Sequence, residues 1–296
     1  LGNHHNHNGE ISQLRLLLTF LLNIIITAVE IIGGLLAGSL SLISDALHNF
    51  SDATAIVISY FAIKLSRRTR DLKYTFGLKR AQIIAAIINS SVLVAISIYL
   101  FKEAFLRIIE PRNIEGFTMI WVALIGLGAN VAGTLLLKKG AKKNMNIRST
   151  YLHLLSDALS SMGVVIGGVL IYFENVYWVD PFLTILISVY ILKESFAILK
   201  DALNIVLMAS PQSISLNSIK DTLESINGVR NIHHVHLWQL DEKDVHFEAH
   251  AEVPDLKISQ TDKILAQMKS VLKEKFGINH VTIQFECNIC EVKKIV

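Results

Sequence analysis

The chain has 296 residues, 52% of them hydrophobic and only 18% charged, with a formal net charge of +3. That balance is too apolar and too poor in charge for an ordinary soluble domain. The small positive excess calls for no nucleic-acid partner, because the Lys and Arg residues fall in short loops between apolar runs.

A helix that crosses lipid needs about 20 mostly apolar residues. Taken in chain order, segments near 13–36, 41–65, 80–107, 116–137, 150–173 and 180–207 meet this, so six spans are predicted. The first is too long, and lacks the cleavage site, to be a secretory signal. It carries Glu30, a costly residue in lipid and a candidate for a proton-linked or access-path role. The second carries Asp45, His48 and Asp52. The third and fourth carry Asn89 and Asn130, read as hydrogen bonds between helices. The fifth carries His153 and Asp157, and the sixth is interrupted by Lys193, Glu194, Lys200 and Asp201.

The loops set the orientation. Arg67, Arg68, Arg70, Lys73, Lys79 and Arg80 follow the second span, and Lys138, Lys139, Lys142, Lys143 and Arg148 follow the fourth. The three loops on the other side hold Arg112 and no other basic residue. Both termini are therefore expected in the cytosol. The sequence begins at Leu1 rather than Met, so the true N-terminus is expected to be missing or trimmed.

Alternation and charge replace the apolar runs near Pro211. A helix is predicted over 213–226, stopped by Gly228. Strands are predicted over 229–240 and 245–253, joined by the turn Asp241-Glu242-Lys243-Asp244. A second helix over 258–276 ends before Gly277, and a third strand covers 281–285. The fold class is thus a polytopic α-helical membrane protein with a C-terminal cytosolic α+β domain, αββαβ and ferredoxin- or metallochaperone-like. Residues 1–12 form a His-containing tail, 13–207 the membrane domain and 208–296 the cytosolic domain. A domain of about 85 residues is small for a lone core, so it is expected to lean on a partner subunit.

One pattern occurs twice: His48-Asn49-Phe50-Ser51-Asp52-Ala53 and His153-Leu154-Leu155-Ser156-Asp157-Ala158. His and Asp four residues apart share one helix face. The second and fifth spans run in opposite directions, so the copies converge as two imidazoles and two carboxylates. That donor set suits a tetrahedral divalent ion, Zn2+ above all, and Co2+ or Ni2+ less well. Two carboxylates cancel the ion's charge in low dielectric. The ligands bind metal only when deprotonated, so protons and metal compete, which is the requirement for metal–proton exchange. An intramembrane metalloprotease would need His-Glu-x-x-His, which is absent. A channel would need weaker, multi-site binding. Asp45, three residues before His48, is expected to accept an imidazole N–H or to serve as an alternative ligand.

Ser44-Asp45-Ala46-Leu47-His48-Asn49-Phe50-Ser51-Asp52, the later His153-x-x-x-Asp157, Tyr74-x-Phe76-Gly77-x-x-Arg80, and Ile232-His233-His234-Val235-His236-Leu237-Trp238 resemble the cation diffusion facilitators over nearly the whole chain. The likeness is to the zinc-preferring branch, of bacterial zinc/cobalt/cadmium efflux type and similar to eukaryotic zinc transporters. It implies a homodimer in the membrane that exports Zn2+ from the cytosol in exchange for protons. The membrane would be a bacterial inner membrane, or an organelle membrane in a eukaryote. It implies a secondary transporter and no enzyme. The alternatives are a carrier of broader specificity for Co2+, Cd2+ or Ni2+, and a transport-inactive zinc sensor or heteromer partner. The resemblance also implies a cytosolic zinc site built from His233, His250 and Glu286, with His280 as a further ligand. Gln284 stands where some members have a His. Cys287 and Cys290 have a metal-ligand spacing, and with His4, His5 and His7 they would form a tail site as in eukaryotic relatives. The loop over 66–76 has Asp71 but no His, so no stable metal is expected there.

Overall fold

In the computed structural model the described residues are 21, 24–66, 71–141, 145–288 and 294–295. His4, His5, His7 and Cys290 lie outside them, as do Arg67, Arg68, Arg70, Lys142 and Lys143. Helix α1 covers Ile24–Ala37. It is followed by α2 (Leu40–Ser66), α3 (Ala81–Ile109), α4 (Gly116–Ala141), α5 (Met145–Glu174) and α6 (Val179–Val206). Then come α7 (Leu216–Glu224), β1 (Asn231–Gln239), β2 (Val245–Glu252), α8 (Ile258–Phe276) and β3 (His280–Glu286).

Among the described residues, four helices are long and apolar enough to cross a membrane: α3, α4, α5 from Tyr151, and α6. The described part of α1 is shorter than a span. Helix α2 has the length, but Ser, Asp, His and Asn dilute its apolar content. Large apolar side chains such as Tyr60, Phe105, Trp121 and Phe173 stand exposed along these helices. Such a surface belongs in lipid.

The chain divides into two compact units. One holds the described residues up to Tyr60 with Ile88–Ile198; the other holds Phe61–Ile87 with Leu199–Val296. In the first, α4 packs along α5, and a core forms around Leu42, Met119, Val164 and Ile171. Two of its buried carboxylates are tied to polar groups on neighbouring helices. Asp180 at the start of α6 is fully buried and reaches the first turn of α2. Its Oδ1 accepts from Ser39 Oγ at 2.6 Å, Ser41 Oγ at 2.6 Å and Ser41 N at 3.1 Å, and its Oδ2 from Leu40 N at 2.9 Å. A carboxylate at a helix N-terminus satisfies the orphan amides and complements the dipole. Glu30 is also fully buried, and Asn49 Nδ2 donates to its Oε2 at 3.1 Å. Gly126 on α4 makes room for it, since a Cβ there would overlap Glu30 Oε1.

In the second unit the sheet order is β1-β2-β3, with β1 and β2 antiparallel and β2 and β3 parallel. Ile219 and Leu223 of α7, and Ile264, Met268 and Leu272 of α8, bury one apolar stripe each against Ile232, Phe247 and Ala249. Helix α8 ends at Gly277, whose backbone N–H reaches the carbonyls of Leu272 and Lys273. The same unit contains the turn between α2 and α3. Asp71 Oδ1 accepts from the amides of Lys73 and Tyr74 at 2.8 and 2.6 Å, and the Gly77 amide donates to the Tyr74 carbonyl at 2.8 Å. Gly77 has φ +74°, which the turn needs and other residues adopt at a cost. Lys79 Nζ donates to Asp244 Oδ2. That ammonium, more than anything else, holds the Asp244 carboxyl below its ordinary range.

Candidate metal centres

The doubled pattern comes together between α2 and α5. His48 Nε2 lies 3.6 Å from Asp52 on its own helix and 3.7 Å from Asp157 on α5. His153 Nε2 lies 3.6 Å from Asp157 on its own helix and 3.0 Å from Asp52 on α2. Each imidazole therefore meets both carboxylates, once at one-turn spacing and once across the interface. The small Ala53 and Ala158 that close the two patterns are buried, as close approach of two helices requires. The pairs are unequally exposed, with side-chain exposure of 3% for Asp157 and 42% for His153. A cavity of about 350 Å3, lined by His48, Ser156, Asp157, Ser160 and Tyr190 among others, opens beside them.

Asp45 has other partners than the sequence suggested. Its carboxylate accepts from Ser160 Oγ at 3.0 Å and Ser161 Oγ at 2.9 Å, both on α5. Asn130 of α4 joins through Ser161 at 3.4 Å. Asp45 thus ties α2 to α5 one turn from His48. The position alone could not reveal this, because the serines lie more than a hundred residues away.

A second cluster sits on the sheet. Among the described residues, His233, His250 and Glu286 offer ligand atoms that all lie within 4.8 Å of one another. His233 pairs with His250 across β1 and β2, and Glu252 pairs with Glu286 across β2 and β3. His250 Nδ1 is 2.7 Å and His233 Nε2 3.4 Å from the Glu286 carboxylate. Asn231 Oδ1 is 3.1 Å from His233 Nδ1 and Gln284 Nε2 donates to Glu286 Oε1 at 2.9 Å, which orients the ligands. Two buried ring nitrogens aimed at one carboxylate form a donor set that fits Zn2+.

The sheet departs from strict alternation here. A bulge between His233 and His236, with φ +50° at His234, buries Ile232 and His233 in succession. It also brings the His234 ring to 4.7 Å from that of His250. Strict alternation over the predicted strand 229–240 gives no sign of this nearness.

His280 does not join this cluster. It lies opposite His246 in the β2–β3 register, with ring centroids 4.1 Å apart. Trp238 stacks on His246 at 5.3 Å, and Phe76 meets both imidazoles edge-on. Burial first, then the neighbouring His280, pushes the His246 pKa below its ordinary value. Cys287 is exposed and free.

Residues 16–207 match the cation efflux transmembrane domain, and residues 211–287 match the cytoplasmic domain of cation efflux proteins. The chain belongs to the cation efflux family. Full-length relatives agree. The chain is 36% identical to zinc transporter ZitB of Pectobacterium atrosepticum over 293 residues, 98% of this chain and 91% of the relative. It is 35% identical to the cadmium, cobalt and zinc/H(+)-K(+) antiporter of Bacillus subtilis, with 95% and 91% covered. It is 34% identical to metal cation efflux system protein CzcD of Cupriavidus metallidurans, with 98% and 91% covered. Among solved structures, the metal-bound C-terminal domain of the CzcD transporter from that bacterium is 30% identical, with a TM-score of 0.23, covering 25% of this chain and 99% of that one. As a cation efflux protein, the chain combines a membrane helical domain with a C-terminal cytosolic domain that holds the small sheet.

Replacing Glu286 with Ala is expected to remove one tightly bound zinc ion per chain. The measurement is zinc content after equilibrium dialysis of the full-length protein carrying Asp52→Ala and Asp157→Ala. Unchanged zinc content would assign the bound ion elsewhere.

Proposed function

We propose that the protein is a Zn2+/H+ antiporter that exports zinc from the cytosol by alternating access. His48, Asp52, His153 and Asp157 are the transport ligands. The crossed contacts of two imidazoles with two carboxylates between α2 and α5 support this more than any other observation. The relatives named as a zinc transporter and as a zinc/H(+)-K(+) antiporter point the same way.

In this reading α1 to α6 are the six spans, both termini are cytosolic, and residues 1–12, 13–207 and 208–296 form the tail, membrane and cytosolic domains. The match of the C-terminal domain to a cation efflux cytoplasmic domain supports dimerisation through it. The bacterial relatives support an inner-membrane location. Facing the cytosol, neutral imidazoles and ionised carboxylates take the ion. On the far side protons compete for the same atoms and release it. The protonated site then returns. Small residues at the helix contacts allow the bundles to rock without large voids. His233, His250 and Glu286 hold a resident zinc ion that fixes the three strands.

A second reading is a carrier for Cd2+ and Co2+ as well as Zn2+. It is favoured by a relative named for all of them and by a nitrogen–oxygen donor set that separates zinc from cobalt poorly. Both readings are tested in reconstituted vesicles. Zn2+ uptake should follow an imposed pH gradient, acid inside, and collapse when an ionophore dissipates it. Uptake indifferent to the gradient would remove antiport. Equal uptake of Cd2+ and Co2+ would favour the broader carrier.

A further inference from the structure

The turn Tyr74-x-Phe76-Gly77-x-x-Arg80 takes no part in either metal centre. Beside it, within the unit that holds the turn and the cytosolic domain, lies an apolar cavity of about 510 Å3, within the roughly 300–1,000 Å3 range of ligand sites. Its walls include Tyr74, Phe76, Ile84, Met208 and Trp238, and Arg80 is the one basic residue among its lining. Arg80 Nε is buried with no hydrogen-bond partner. None of the ion pairs among the described residues involves Arg80.

We propose that this cavity binds an anionic phospholipid of the cytosolic leaflet, with Arg80 on the phosphate and an acyl chain along the apolar wall. Position supports it. Leu65 is in the last turn of α2, Ala81 and Ile84 are in the first turn of α3, and Met208 lies just past α6. Helix ends of this kind lie at headgroup depth, where Tyr and Trp also collect. Burial supports it too. Tyr74, Phe76, Ile84 and Met208 are each more than 40% exposed, and an acyl chain would take them out of water. A free phosphate would satisfy Arg80 and leave that surface wet. A lipid whose headgroup carries its own cation would compete with the guanidinium for the phosphate. Guanidinium matches phosphate in fork geometry and is weakly hydrated, so it works at a half-buried site. Cytosolic-leaflet anionic lipid is drawn to basic residues by about 1 kcal/mol each.

Trp238 lines the cavity and serves as the reporter. The full-length protein carrying Trp121→Phe and Trp178→Phe is reconstituted in phosphatidylcholine vesicles with increasing brominated phosphatidylglycerol or brominated phosphatidylcholine. Trp238 fluorescence should be quenched at roughly fivefold lower mole fraction of the anionic lipid, the factor that corresponds to about 1 kcal/mol. Arg80→Gln should erase that difference and Arg80→Lys should keep part of it. If Arg80→Gln does not fold, raising the salt on the unsubstituted Arg80 protein should shrink the difference in the same way. A protein retaining only Trp178 should show no preference. Equal quenching by both lipids, or a preference unmoved by Arg80→Gln or by salt, would overturn the proposal. Absence of quenching would also overturn it.

Discussion

Asp157→Ala is expected to lower zinc flux in vesicles by at least about 100-fold, the upper end of what losing a group that merely orients a ligand costs. The expectation rests on geometry. Asp157 is nearly inaccessible, and its two oxygens face one imidazole each, His48 at 3.7 Å and His153 at 3.6 Å. Its removal strips a donor and leaves the ion's charge half compensated in low dielectric. Asp52→Ala should match it, because Asp52 is the 3.0 Å partner of His153. Asp45→Ala should be milder, within about tenfold, the lower end of that range. Its carboxylate accepts from two hydroxyls of α5. Flux surviving both Asp52→Ala and Asp157→Ala would end the site assignment. Asp45→Ala as damaging as Asp157→Ala would move Asp45 into the ligand set.

Asp180→Ala carries the largest expected loss of stability. One fully buried carboxylate accepts from two hydroxyls and two amides at the start of α2. Deleting it leaves several donors buried and unpaired, at a cost of roughly 3–5 kcal/mol in all. For a chain of this size that is a fall of about 10 °C in the midpoint of thermal inactivation in detergent. Asp180→Asn keeps one acceptor but turns an amide group toward a backbone N–H, so it should lie between. A midpoint for Asp180→Ala within about 2 °C of the parent, less than 1 kcal/mol would give, would show that water takes over the donors.

Much of this was legible in the chain because it is local. Helix α8 was predicted at its observed limits, since an apolar stripe and a terminal Gly277 are properties of the segment itself. The two His-Asp pairs were legible for the same reason, as one-turn spacing is helix geometry. What was hidden depends on distant partners. Asp180 read as an unremarked polar residue at the head of a span; its role exists only because Ser39 and Ser41 lie against it. The resemblance offered His280 as a further ligand beside His233, His250 and Glu286, yet the parallel register of β3 sets it opposite His246. The bulge at His234 has no sequence signal, because a His with positive φ is set by the pairing around it. Arg80 was visible as a loop charge, but its buried and unmatched Nε was not.

The crossed pairing of α2 with α5 has an electrical corollary for the proposed exchange. With both rings protonated, His48 and His153 balance Asp52 and Asp157, and the site sums to zero. With neutral rings and one divalent ion, it sums to zero again. Moving one elementary charge through the membrane is worth about 2.3 kcal/mol per 100 mV, but a carrier that is neutral on both strokes collects none of this. Membrane voltage then neither drives nor opposes the cycle, and the two concentration gradients alone set its direction.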